Sequence, residues 1–314
     1  MSLRSVRLAP HLGIRFPALT LALALLTSCS TEQESPPPLQ PPVSGAEIAR
    51  IRGSDADQKL LFDARETAIA RCMSARGWPY QPTPWRPRRD NPAQDPRSGD
   101  DIALHRTAGY GFSTGAQEPP ASPNDSYANS LTAERRELYS QALFGTPQHR
   151  LDATLPNGEV TFIYTDGCSA QAEKQLYGDL KTWLIADTVV INLRIEVDNR
   201  VTADRRLTAA TQSWSSCMAH RGYHYDTPGA ARTHIGQAYE HAAPSAKGEE
   251  RRTELAQALA DAECDKQVGR ARLFRSLDEE YRDQVARERN SQITSYRELI
   301  SRALIVARPT GSHP

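Results

Sequence analysis

Four cysteines carry the most legible chemistry in this chain: Cys72, Cys168, Cys217 and Cys264. Two of them sit in nearly the same nine residues, CMSARGWPY from Cys72 to Tyr80 and CMAHRGYHY from Cys217 to Tyr225. In an oxidising compartment four thiols form two disulfides, with three connectivities open. No pair has C-x-x-C spacing, and His220 and His224 straddle a glycine, so no metal is expected. The sequence holds no G-x-S-x-G elbow and no H-E-x-x-H. GYGFSTG, residues 109–115, has the glycines of a phosphate loop but neither its lysine nor its strand-to-helix setting, so no cofactor is expected. The acids Glu134, Glu137, Glu249, Glu250, Glu254, Glu279, Glu280 and Glu288 lie in helix-compatible stretches and read as surface ion-pairing groups. Two carboxylates facing each other across a cleft, as a glycosidase needs, stay open. His105, His149, His234 and His241 fall in or near loops without ligand spacing.

The elements that must position these groups follow from the repeat. Each nonapeptide reads as a helix ending. Gly77 and Gly222 fall at C′, where glycine takes the left-handed conformation without strain. Arg76 and Arg221 then occupy the C-cap, where a cation meets the negative end of the helix dipole. Met73 and Met218 fall at C3, Trp78 and Tyr223 at C″, and a Schellman ending brings these two positions together. Met73–Trp78 and Met218–Tyr223 are therefore predicted contacts. Each copy is followed by a second cysteine, in DGCSAQAEKQ and in AECDKQ, which suggests one duplicated unit whose second helix begins near its cysteine. The parallel implies the pairs Cys72–Cys168 and Cys217–Cys264.

Helix dominates the remainder. Leu60, Leu61, Ala64, Ala68 and Cys72 share one face of a helix that Asp55 would cap. A long stretch from Ser169 to about Ala219 is centred on WLIADTVVINL, read as a buried helix, with a break near Asp198-Asn199. Leu255, Leu259, Leu273, Leu277, Tyr281, Val285, Tyr296 and Ile300 stripe a charged stretch from Glu249 to about Ala307, weak only at Gly269. Thr132 caps a helix ending at Gly145, and Asn157-Gly158 turns a small hairpin. The proline-rich connection 81–129 is long enough to be either disordered or functional. Trp78, Tyr80, Trp85, Tyr110, Phe112, Tyr223 and Tyr225 gather there and at the helix ends, beside Arg86, Arg88 and Arg89. Core closure and a partner surface formed by Tyr80, Trp85, Tyr110, Phe112 and Tyr225 are both open.

The N-terminus reads as a targeting segment. Arg4, Arg7 and Arg15 precede FPALTLALALL, which is too short to span a bilayer and fits a secretory signal. Leu26-Thr27-Ser28-Cys29 resembles a bacterial lipobox, and that resemblance implies that Cys29 is lipidated and becomes the mature N-terminus. Two or three acyl chains, each contributing about 0.8 kcal/mol per buried methylene, would hold the protein on the bilayer. SPPPLQPPVS then reads as an extended tether. The formal net charge of zero gives no drive toward nucleic acid.

The pattern CMxxRG(W/Y)xY, GYG, LYSQALFG, GC, a second CMxxRGYxY and AECDKQ resembles a group of secreted actinobacterial lipoproteins with no assigned activity. The resemblance spans most of residues 60 to 300 and implies localisation and fold rather than chemistry. The expected molecule is all-α, disulfide-stapled and internally duplicated, with at most a small β-hairpin. Its segments are a signal peptide (1–28), the lipidated cysteine and tether (29–45), helical unit 1 (46–204), helical unit 2 (205–307) and a flexible tail (308–314). The leading function is a non-enzymatic binding or accessory role toward a membrane or envelope protein on the extracytoplasmic face. The alternatives are a hydrolase whose carboxylates the fold brings together and a small-molecule binding lipoprotein.

Overall fold

The computed structural model describes residues 44–48, 50–87, 90–112, 122–241 and 247–308. The signal segment, Cys29, the tether up to residue 43, Arg88, Arg89, the STG of GYGFSTG and residues 309–314 lie outside the described residues. The described elements are α1 (Gly45–Ile48), α2 (Asp55–Ala75), α3 (Ile102–Ala108), α4 (Pro123–Ser130), α5 (Ala133–Phe144), β1 (Arg150–Thr154), β2 (Val160–Tyr164), α6 (Cys168–Tyr177), α7 (Leu180–Ala203), α8 (Arg205–His220), α9 (Pro228–His241), α10 (Lys247–Val268), α11 (Arg270–Glu288) and α12 (Asn290–Ala307). The fold is all-α with one antiparallel hairpin.

Both repeated nonapeptides end helices as Schellman motifs. Trp78 N–H donates to Met73 O (2.9 Å) and Gly77 N–H to Ser74 O (3.0 Å). Tyr223 N–H donates to Met218 O (3.0 Å) and Gly222 N–H to Ala219 O (3.0 Å). The glycines stand at φ 78° and 88°. Met73 and Met218 are fully buried, with Trp78 and Tyr223 packed on their clusters. Arg76 reaches past its own helix to Ala142 O (3.2 Å) and Asp166 O (2.7 Å), and Arg221 pairs with Glu263 on α10. Each arginine thus ties the stop to a neighbouring segment. A Cβ at either glycine would meet nothing within 4 Å, so alanine there isolates the backbone cost. Gly77→Ala and Gly222→Ala should each lower stability by about 1–2 kcal/mol in denaturant melts. A cost near zero would mean that the left-handed stop is dispensable.

The disulfides are Cys72–Cys168 and Cys217–Cys264, as the repeat implies. Both units also place a glutamine three residues after the second cysteine, against the first cysteine's sulfur. Gln171 Oε1 lies 3.4 Å from Cys72 Sγ, and Gln267 Oε1 lies 3.7 Å from Cys217 Sγ. The recurring unit is a stopped helix (α2, α8), a connection, a cysteine helix (α6, α10), a glycine at positive φ (Gly178, Gly269) and a long helix (α7, α11). The copies differ in one respect from expectation. Cys168 opens α6, whereas Cys264 lies near the end of α10, because α10 extends many residues upstream of its cysteine.

The long helices α7 and α11 pack on each other, and α12 covers α7, α6 and α2. Val190, Leu193, Val197, Leu277, Val285, Ile293 and Leu299 fill the seam, so the two halves share one core. Buried Asp278 on α11 accepts from Arg194 on α7 (2.7 Å) and pairs with Arg282. The first described element, α1, docks on α11. Gly45 N–H donates to Asp283 Oδ1 on α11 (2.8 Å), so closely that a Cβ at Gly45 would come 2.5 Å from that oxygen.

Several boundaries differ from the sequence reading. The cap of α2 is Ser54, in a capping box with Asp57, rather than Asp55. No break occurs at Asp198-Asn199. The α7–α8 junction is Asp204, whose side chain accepts from Arg206 N–H and thereby starts α8. The last helical stretch divides at Gly269 and again at Arg289. The short second connection contains α9, which places His234 and His241 on a helix.

Candidate functional site

The connection 81–129 does not form an open loop over its described part. Residues 90–112 form a belt along α10 and α11. Asp100 takes both nitrogens of Arg275 (2.8 and 2.9 Å), and Arg275 also donates to Arg97 O (2.6 Å). Buried His105, on α3 rather than in a loop, has its ring nitrogens 2.9 Å from Gly109 O and 3.1 Å from Ser98 O. Then GYG folds inward. Tyr110 is 1% exposed, and its N–H and that of Phe112 both donate to Glu254 Oε1 (2.9 and 3.0 Å). The Tyr110 hydroxyl donates to Asp261 Oδ2 (2.9 Å), and Trp214 Nε1 donates to Oδ1 of the same carboxylate (2.7 Å).

These acids belong to a polar stripe on the buried face of α10. Glu254, Gln257, Asp261 and Asp265 recur at three- and four-residue spacing, all buried. Tyr239 donates to Glu254 Oε2 (2.8 Å), Tyr225 to Gln257 Oε1 (3.0 Å), and Arg270 Nε to Asp265 Oδ2 (2.8 Å). Glu254 is therefore not a surface ion-pairing group. Leu255 and Leu259, expected to line the buried face, are only half-buried. The physical reason is donor supply: a carboxylate accepting several hydrogen bonds can be buried, and the belt brings donors together with Trp214, Tyr225, Tyr239 and Arg270. Burial still holds the Asp261 carboxyl above its usual range, and burial followed by the Asp261 charge pushes the Tyr110 phenol up.

The proposed aromatic partner surface is dispersed by the fold. Tyr110 is core. Phe112 packs on Tyr239 with ring centroids 6.2 Å apart. Tyr225 is tied to Gln257, and Tyr80 donates to buried Glu66 (3.0 Å); burial, followed by the Glu66 charge, raises its phenol to about 12. Trp85 is half-buried. Core closure is the outcome for Tyr110, while Tyr80, Phe112 and Tyr225 are half-buried.

Two further acids approach one another. Burial raises Glu173 on α6 and Asp187 on α7 above the carboxylate range, and the Asp187 charge adds to the rise at Glu173. Both lie beside the stacked rings of Tyr177, Trp183 and Tyr296, and Arg65 stands 3.4 Å from Glu173. These acids bind protons more tightly folded than unfolded, so stability should rise as pH falls from neutral through their raised titration range. Asp204, Asp57 and Asp179 act oppositely: hydrogen bonds from Arg206, Ser54 and Thr182 respectively lower them, so their contribution is lost below about pH 4. A melting temperature that peaks in mild acid, with the rise diminished in Asp187→Asn, is the expected profile. A maximum at neutral pH would contradict the assignment.

A groove of about 510 Å³ runs along α9, lined by Gln94, Phe112, Arg232, Thr233, Gln237 and Glu240. Among the described residues no group of three or more His, Cys, Asp or Glu is placed to hold a metal ion, and no helix is long and apolar enough to cross a membrane.

One exposed apolar surface is on the hairpin. Residues 155–159 close it, with Leu155 N–H donating to Glu159 O (2.8 Å). Leu151, Ala153, Thr161 and Ile163 form one face, on which Ala153 is buried where the hairpin meets α7. The other face carries Arg150, Asp152, Thr154, Val160, Phe162 and Tyr164. Val160 and Phe162 are 57% and 45% exposed, and Phe144, just before the Gly145 that abuts Tyr164, is 59% exposed. The Arg150 guanidinium lies over the Phe162 ring at 4.0 Å. The sequence showed this hairpin but not its value. The signal was there in VTFIY, five uncharged residues of which three fall on the outer face.

Comparison with protein-family models, curated proteins and solved structures finds no match.

Proposed function

We propose that the protein is a lipid-anchored, extracytoplasmic helical lipoprotein with a non-enzymatic binding or accessory role, and that it engages an envelope protein through the outer face of its hairpin. The observation that carries the binding role is the exposed Val160–Phe162 face, held on α7 beside exposed Phe144. Large exposed apolar side chains grouped on one face mark interaction sites. The two disulfides support an oxidising compartment. The lipobox at Cys29 supports anchoring.

In-cell crosslinking with mass spectrometry on the full chain tests this reading, alongside Phe162→Lys. Crosslinks from the hairpin to a specific envelope protein, lost in the variant, support it. Absence of any hairpin crosslink in the native chain overturns it. Deleting residues 84–128 would be a poor control, because it removes Tyr110 from Glu254 and Asp261 and so attacks the core. The hydrolase alternative draws on Glu173 and Asp187. Hydrolytic turnover of an envelope polymer, lost in Asp187→Asn, would favour it.

A further inference from the structure

Resting on the binding role of the hairpin, we infer that the partner of β2 is the β2 strand of a second copy of this chain. The hydrogen bonds fix which edge is open. Leu155 N–H bonds Glu159 O, and Thr165 N–H bonds His149 O. In an antiparallel ladder bonded pairs alternate with unbonded ones, so the pairs between those two that bond are Ala153–Thr161 and Leu151–Ile163. The backbone groups of Val160, Phe162 and Tyr164 therefore turn away from β1. Among the described residues no backbone hydrogen bond joins this edge to another element.

The two edges of the hairpin are unlike. The β1 edge presents Arg150 and Asp152, charges of the kind that discourage strand addition. The β2 edge presents Val160, Phe162 and Tyr164, uncharged, β-branched or aromatic, and without proline. Its complement is a short apolar strand with no charge facing it. Such a strand exists among the described residues in β2 itself.

The pairing is self-complementary about a two-fold axis at Phe162. An antiparallel β2–β2 contact centred there sets Phe162 opposite Phe162 and Val160 opposite Tyr164, with Glu159 opposite Thr165 at the ends. Along β2 itself no like charges stand opposite one another, and the exchange is isologous, so it closes as a dimer. With three edge residues from each copy the contact is small beside the roughly 1,000 Å² that a stable interface needs, so it belongs to copies crowded on a surface. The result is a four-stranded sheet whose outer face carries two Phe162 rings, each beneath an Arg150.

Register-specific crosslinking of the full chain in membranes decides the matter. At the axis the two Phe162 Cα atoms would be about 5.5 Å apart, within disulfide reach. Two Val160 positions would be displaced along the strand by about 14 Å, out of reach. Under mild oxidation Phe162→Cys should give a disulfide-linked dimer on non-reducing gels. Val160→Cys alone should stay monomeric, although Val160 is the more exposed residue, and Val160→Cys mixed with Tyr164→Cys should crosslink. Each variant must retain both native disulfides and its helicity. Equal crosslinking by Phe162→Cys and Val160→Cys, or none by Phe162→Cys, overturns the pairing. If Phe162→Cys fails while the hairpin still captures a different envelope protein, the self-pairing falls and the binding role stands. If the hairpin captures nothing at all, both fall.

Discussion

Replacing Glu254 by alanine should cost about 3–5 kcal/mol of unfolding free energy, one of the two largest effects expected in this protein. The carboxylate is 0% exposed and accepts the N–H groups of Tyr110 and Phe112 together with the Tyr239 hydroxyl. Truncation strands both backbone donors away from water, each at about 1–3 kcal/mol. It also opens a void beside Gly109, whose backbone passes so close that a Cβ there would lie 2.8 Å from the Glu254 carboxyl carbon. Glu254→Gln keeps one oxygen for the two N–H groups but turns an amide donor toward the Tyr239 hydroxyl and Arg251, so an intermediate loss is expected. Denaturant melts measure both, and hydrogen exchange should show amides 109–112 deprotected first. Glu254→Ala within about 1 kcal/mol of the native chain would mean that the belt is not held by α10.

The second large effect is loss of a disulfide. The bridges close separations of 96 and 47 residues. On the chain-entropy account their removal should cost about 4.7 and about 4 kcal/mol respectively. The paired replacements Cys72→Ala with Cys168→Ala, and Cys217→Ala with Cys264→Ala, measure this by denaturant melts. If the shorter loop proves clearly the more costly to open, closure entropy does not govern. The packing of Cys264, buried with Trp214 and Met218, would then be the stronger constraint.

The parts legible in the sequence were those set by local backbone chemistry. Gly77 and Gly222 announce their stops because only a residue free at positive φ ends a helix in that way. Thr132, Gly145 and Asn157-Gly158 mark their boundaries for similar reasons. The polar stripe of α10 was not legible. Glu254 and Asp261 have the residue types of a solvated face, and their burial depends on donors 144 and 151 positions away in the chain. Conversely, Leu255 and Leu259 look like a core stripe but lie to one side of it. The helix period alone does not choose the buried face when a distant segment satisfies the acids. The unit boundary drawn at 204/205 falls on the Asp204 junction, whereas the break expected near Asp198-Asn199 is helix, since the run of helix formers continues through it to Ala203.

The clamp of Gly45 on Asp283 has a mechanical consequence. Tension applied through the chain before Ser44 reaches α11 well inside its length, by a hydrogen bond and a close backbone approach, with Glu47 also 3.3 Å from Arg297 on α12. Such a pull loads two packed helices in shear and spreads over the shared seam. It does not peel a terminal helix turn by turn.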